Sequence, residues 1–180
     1  VEGMAFYGLF PFMSELLLAT TGTSTASISV ETGLVLGAFG IGGLLYAFSV
    51  RLLLRRFGVR RMCLFGSVGA AVCYAALTVS PLWWLDAVAM FAAGISFYML
   101  HNSMQTEATE LAPSARGSAV ALFACGFFIG QGVGPLLFGG LLHGLGPRWS
   151  LLVLSCTIVA LGRVVVARVI DRRGVPAGAA

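Results

Sequence analysis

Six times along this chain a run of mostly apolar residues, about twenty long, is cut by polar, proline or arginine punctuation. That recurrence leaves few folds open, because a helix needs about 20 such residues to cross the hydrocarbon core of a bilayer. The runs cover 4–20, 32–54, 61–79, 82–104, 117–142 and 149–169. Between Arg116 and Arg148 there is no Asp, Glu, Lys or Arg at all, so the fifth run is long enough to tilt or to emerge from the bilayer. The pattern predicts an all-α membrane protein, a bundle of six transmembrane helices over 1–173, followed by a disordered tail over 174–180 that lacks apolar mass.

Composition closes the alternative of a soluble core. Apolar residues make up 58% of the chain and charged residues 10%, against roughly 45–50% and about 25% in soluble domains. Mean hydropathy is +0.95. So few charges cannot clothe a surface in water. The net charge of +4 implies no nucleic-acid partner, since the basic residues are all arginine and, Arg163 within the sixth run apart, lie at or beyond the ends of apolar runs. Cys63, Cys73, Cys125 and Cys156 fall inside those runs without metal-ligand spacing, so no disulfide, zinc or other cofactor is expected.

The arginines orient the bundle. Arg51, Arg55, Arg56, Arg60 and Arg61 separate the second and third runs, whereas the connection Thr20 to Ser27 has no basic residue. Placing the even-numbered connections on the cytoplasmic side gathers most arginines there and puts both chain ends in the cytoplasm. Trp83, Trp84 and Trp149 then stand at the opposite interface, a depth that amphipathic indoles prefer.

A shift of 88 residues lays Phe39-Gly40-Ile41-Gly42 over Phe127-Phe128-Ile129-Gly130, and Gly58-Val59-Arg60 over Gly146-Pro147-Arg148. The matched runs are three spans apart and cross in opposite senses, as in an inverted three-plus-three repeat.

Glu15 lies inside the first apolar run, where a carboxylate costs several kcal/mol unless neutral, paired or wet. It is read either as a proton- or cation-binding group on a transport path or as a residue reaching the outer interface. Tyr98, His101, Asn102 and Gln105 recur at i, i+3, i+4 and i+7, one polar stripe on the fourth helix. Such a stripe lines a cavity or bonds neighbouring helices, and His101 can change charge near neutral pH. Glu107, Glu110 and Arg116 in the next connection suit a salt-bridge latch. Gly130, Gly134, Pro135 and Gly139 put a small-residue face and a proline on the fifth helix, which predicts close packing and a bend.

The arginine-rich loop, the stretch from Ala112 to Ala119 and the Gly130–Gly140 run together resemble the major facilitator superfamily, and the chain looks like the carboxy-terminal half of a drug or sugar efflux type member. Arg56-Phe57-Gly58-Val59-Arg60-Arg61 matches the second part of that family's loop motif, while Arg55 stands where its aspartate is expected. The resemblance implies a secondary transporter in the cell membrane, with the amino-terminal six-helix half absent from this chain. It places a small organic solute, with protons as a coupling partner, between the halves, where Glu15 and the Tyr98 stripe are lining candidates. A non-transporting assembly protein is the competing reading. A rhomboid-like protease built on Ser96 and His143 is disfavoured, because the assigned topology puts the two residues at opposite faces.

Overall fold

A computed structural model describes residues 1–21 and 24–171; Gly22, Thr23, Arg172, Arg173 and the tail expected at 174–180 lie outside the described residues. The described chain is helical throughout, with no strand: α1 (Glu2–Tyr7), a 3-10 turn at Phe10–Phe12, α2 (Met13–Thr20), α3 (Ile28–Ala76), α4 (Trp83–Leu111), a second 3-10 turn at Pro113–Ala115, and α5 (Arg116–Val165), which closes in a wider turn at Val166–Ile170. Four helical segments are long and apolar enough to cross a membrane: Glu2–Thr20, Ile28–Ala76, Trp83–Leu111 and Pro113–Ile170. Their outward faces are apolar, with Phe48 88%, Leu136 78% and Leu122 76% exposed. Such a surface suits acyl chains and not water.

Both of the longest helices are interrupted by a glycine. Gly58 has φ 72° and ψ 164°, and Gly146 has φ 79° and ψ 170°. That region is open to glycine because it has no Cβ to clash with its own backbone, and in both places the surrounding space is empty. The dihedral demand, not crowding, selects the residue.

The chain doubles back at each break. Gly42 abuts the Phe91 carbonyl and Gly66 abuts the Ser96 carbonyl of α4. An unbroken helix would set Gly42 and Gly66 roughly 36 Å apart at ~1.5 Å per residue, far more than the Phe91-to-Ser96 rise. The two arms of α3 therefore lie side by side on α4. In α5, Gly134 and Thr157 line one cavity of ≈120 Å³ with Met4, although a straight helix would separate them by roughly 35 Å.

The ends of the bundle sort accordingly. At one end, Arg60 Nε donates to Asp171 Oδ1 at 2.8 Å, joining the α3 break to the last described residue after α5. At the other, Thr20, Ser80, Pro81 and Arg148 share a cavity.

Inside, Phe6, Tyr74 and Phe97 are buried. Tyr74 Oη donates to the Phe6 carbonyl at 3.1 Å, satisfying a hydroxyl that would otherwise be buried alone. The rings of Tyr7, Phe39, Phe97 and Phe127 meet edge-on or tilted with centroids 5.5–6.1 Å apart, within the favourable range for aromatic pairs.

The small face of α5 receives the first segment. Gly130 lies against Met4, Gly134 against Gly8 and Gly139 against the Phe12 ring. Pro135 sits within helical backbone, and the residue at which α5 leaves helical dihedrals is Gly146. Two glycine contacts share one form. Gly94 of α4 abuts the Phe39 carbonyl of α3, and Gly3 of α1 abuts the Phe127 carbonyl of α5. Backbones approach this closely only where no Cβ intervenes.

Candidate functional site

The polar stripe of α4 emerges where that helix passes between α1, the first arm of α3 and the first arm of α5. His101 Nδ1 lies 3.2 Å from Glu2 Oε2 of α1. The Glu2 side chain is 4% exposed and that of His101 18%. Three phenylalanine rings surround the imidazole, Phe97, Phe123 and Phe127, at centroid distances of 5.2, 5.3 and 4.9 Å.

The second carboxylate oxygen of Glu2, Oε1, is buried and has no hydrogen-bond partner among the described residues. A carboxylate in apolar surroundings is tolerable only when protonated, paired with a cation or hydrated. Glu2 and His101 can share one proton between them, and Oε1 remains able to accept a further donor. Beside them Glu2, Met104, Phe123 and Phe127 line a cavity of ≈270 Å³. The arrangement can therefore hold or release a proton and present one unmatched acceptor beside an aromatic wall.

The rest of the stripe turns toward α3. The Tyr98 ring stacks on Tyr46 with centroids 6.2 Å apart, in space left by Gly43, whose missing Cβ would run into the Tyr98 ring. Asn102 lies beside the Tyr46 hydroxyl. Gln105 is half-buried near the end of α4.

Glu15 is on the exposed side of α2, roughly 20 Å along the first segment from Glu2. The structure does not bring the two carboxylates together. Arg55, Arg56 and Arg61 are exposed around the Gly58 turn, with the Arg56 guanidinium 5.8 Å from the Phe57 ring centroid. Asp171 pairs with Arg60 and raises the guanidinium pKa, an exposed contact that solvent screens. Arg116 Nη2 reaches Glu110 Oε1 at 3.4 Å, again at the surface. Glu107 is buried, 8% exposed, on the last turns of α4.

Two carboxylates escape a reading of the sequence. Glu2 stands just ahead of the first apolar run and draws attention only once His101 is seen beside it. Asp86, 2% exposed in the first turn of α4, carries the same signal as Glu15, a lone acid within an apolar run.

A family model described as Major Facilitator Superfamily matches residues 1–179. No curated protein matches the chain.

Proposed function

The chain belongs to the major facilitator superfamily of membrane transporters, and from that premise we propose that it carries a small organic solute by alternating access, as one six-span bundle working against a second. The two glycine reversals support the six-span reading by dividing four long apolar segments into six lengths that each suit a bilayer. The paired contacts of Gly94 with Phe39 and of Gly3 with Phe127 support an inverted repeat. In it the second span packs on the fourth as the fifth packs on the first. The arginines around Gly58 favour a cytoplasmic position for that turn and for both ends, in a cell membrane.

The observation that carries the transport reading is the buried Glu2–His101 pair, which links α1 to α4. An ionisable pair within a membrane bundle is expensive and is kept where it serves a pathway. Its strength depends on a proton. A contact between helices that changes with protonation biases one conformation over another by the difference in its strength between them. Coupling of solute movement to a proton is consistent with such a contact, and the efflux direction rests on the family resemblance alone. Tyr98, Asn102 and Gln105 extend the lining along α4, and Glu15 lies further along the path.

The test is uptake of radiolabelled solutes by proteoliposomes containing the full native protein, as wild type, Glu2→Gln and Glu15→Gln. We expect saturable uptake driven by a pH gradient, abolished by Glu2→Gln and reduced by Glu15→Gln. Absence of gradient-driven uptake across a panel of sugars, organic amines and organic acids would replace the transporter reading with an assembly role.

A further inference from the structure

Arg163 sits within the sixth apolar run, and the pathway above makes no use of it. The residue is exposed and forms no ion pair among the described residues. A guanidinium does not deprotonate in a protein, so at membrane depth it needs an anion or water within reach. Arg163 lines an open groove of ≈610 Å³ between the second arms of α3 and α5, with Val68, Val72, Ala75, Cys156 and Ala160.

The contact beside the groove fixes its direction. Gly162 lies against Ser67, and Cys63 Sγ is 3.8 Å from the Gly162 carbonyl. Arg163 is therefore level with residues 63–67, toward the Gly58 turn, whereas Ala75 and Cys156 lie roughly 10 Å or more further from that turn. Arg61, Phe65, Val68 and Val72 recur at i, i+4, i+7 and i+11 and are all exposed, one face of the helix. Arg61 thus flanks the same groove about one helical turn nearer the Gly58 end. Asp171, eight residues past Arg163, is held by Arg60. From the middle of the bilayer outward, the order is an apolar trough, then Arg163, then Arg61. A lipid of the leaflet on the Gly58 side presents acyl chain, phosphate and headgroup in that same order.

We propose that this groove binds an anionic glycerophospholipid of the phosphatidylglycerol class. An acyl chain lies along Val68, Val72 and Ala160, the phosphate oxygens accept from Arg163, and Arg61 faces the headgroup. A choline lipid carries the same phosphate but brings a quaternary ammonium up to Arg61, so the groove favours the headgroup without an amine. The inference rests on the chain lying in a bilayer and is independent of solute transport.

The experiment is native mass spectrometry of the full protein released from vesicles of equal parts phosphatidylglycerol and phosphatidylcholine. Wild type is expected to retain phosphatidylglycerol over phosphatidylcholine by roughly fivefold, the scale of one basic residue at a membrane surface. Arg61→Gln brings that ratio toward one, and Arg163→Gln lowers retention of phosphatidylglycerol by about fivefold or more. Arg148→Gln, at the opposite end of the same arm, leaves retention unchanged. Equal retention of the two lipids by wild type overturns the proposal, as does undiminished retention by Arg163→Gln or an equal loss in Arg148→Gln. Ala160→Trp tests the trough by filling it from an exposed position without altering charge. Loss of the retained lipid supports the site, and unchanged retention overturns it. A lipid-free wild-type mass of two chains that falls to one chain in Arg163→Gln also overturns it, in favour of a second copy on the groove.

Discussion

The Gly3 region of α1 and the Gly94 region of α4 solve one packing problem in the same way and then part company. Each glycine lets a phenylalanine carbonyl from a neighbouring helix come into backbone contact, Phe127 in the first case and Phe39 in the second. The residue before the glycine is buried in both, but it is Glu2 in α1 and Ala93 in α4. Only the first is charged, and only there does a histidine stand opposite. Packing is alike at the two contacts while chemistry is not, and the proposed pathway rests on the contact that carries the charge.

The most severe way to probe the shared packing is Gly3→Val against Gly94→Val. Each places a Cβ into a backbone carbonyl that has no side-chain freedom to yield. Both variants should lose stability at or beyond the upper end of the ~1–3 kcal/mol seen for overpacked cores. The check is melting temperature and monodisperse yield in detergent, and a tolerated valine at one site would break the equivalence.

The chemical asymmetry is probed next by His101→Ala, which strips the partner from Glu2 and leaves a second oxygen unmatched beside Oε1. It should cost about 1–3 kcal/mol, and combination with Glu2→Gln should recover part of the loss. A double-mutant cycle in thermal stability measures the coupling, and strict additivity would mean that the 3.2 Å contact carries no energy.

A smaller and equal effect belongs to the two turns. Gly58→Ala and Gly146→Ala each force an L-residue to positive φ in open space, at about 1–2 kcal/mol apiece. Melting curves showing a cost at one turn and none at the other would divide what the dihedrals unite. Least of all should come from Arg60→Ala, whose ion pair with Asp171 is exposed. No shift in melting temperature beyond experimental scatter is expected at physiological salt.

Much of this architecture is legible in the sequence because lipid imposes length and apolarity on each span. The arginine cluster and the Gly58 and Gly146 matches already locate the two turns. The stripe of Tyr98, His101, Asn102 and Gln105 can be read from helical spacing alone. What spacing cannot give is the partner. Glu2 lies far from His101 in sequence and sits at the start of an apolar run, where an acid looks interfacial. Glu15 and Asp86 illustrate the same limit from the other side. Each is a lone carboxylate among apolar neighbours, and only tertiary packing leaves the first exposed and the second buried. Pro135 is a further case, since the helical dihedrals persist through it and α5 turns instead at a glycine.

The most direct measurement is proton movement itself, recorded with a pH-sensitive dye inside proteoliposomes as a transported solute is added to wild type and to Glu2→Gln. The account predicts a solute-dependent proton flux in wild type that disappears in Glu2→Gln while solute binding persists. An undiminished flux in Glu2→Gln would show that the buried pair is structural and that coupling, if any, resides elsewhere.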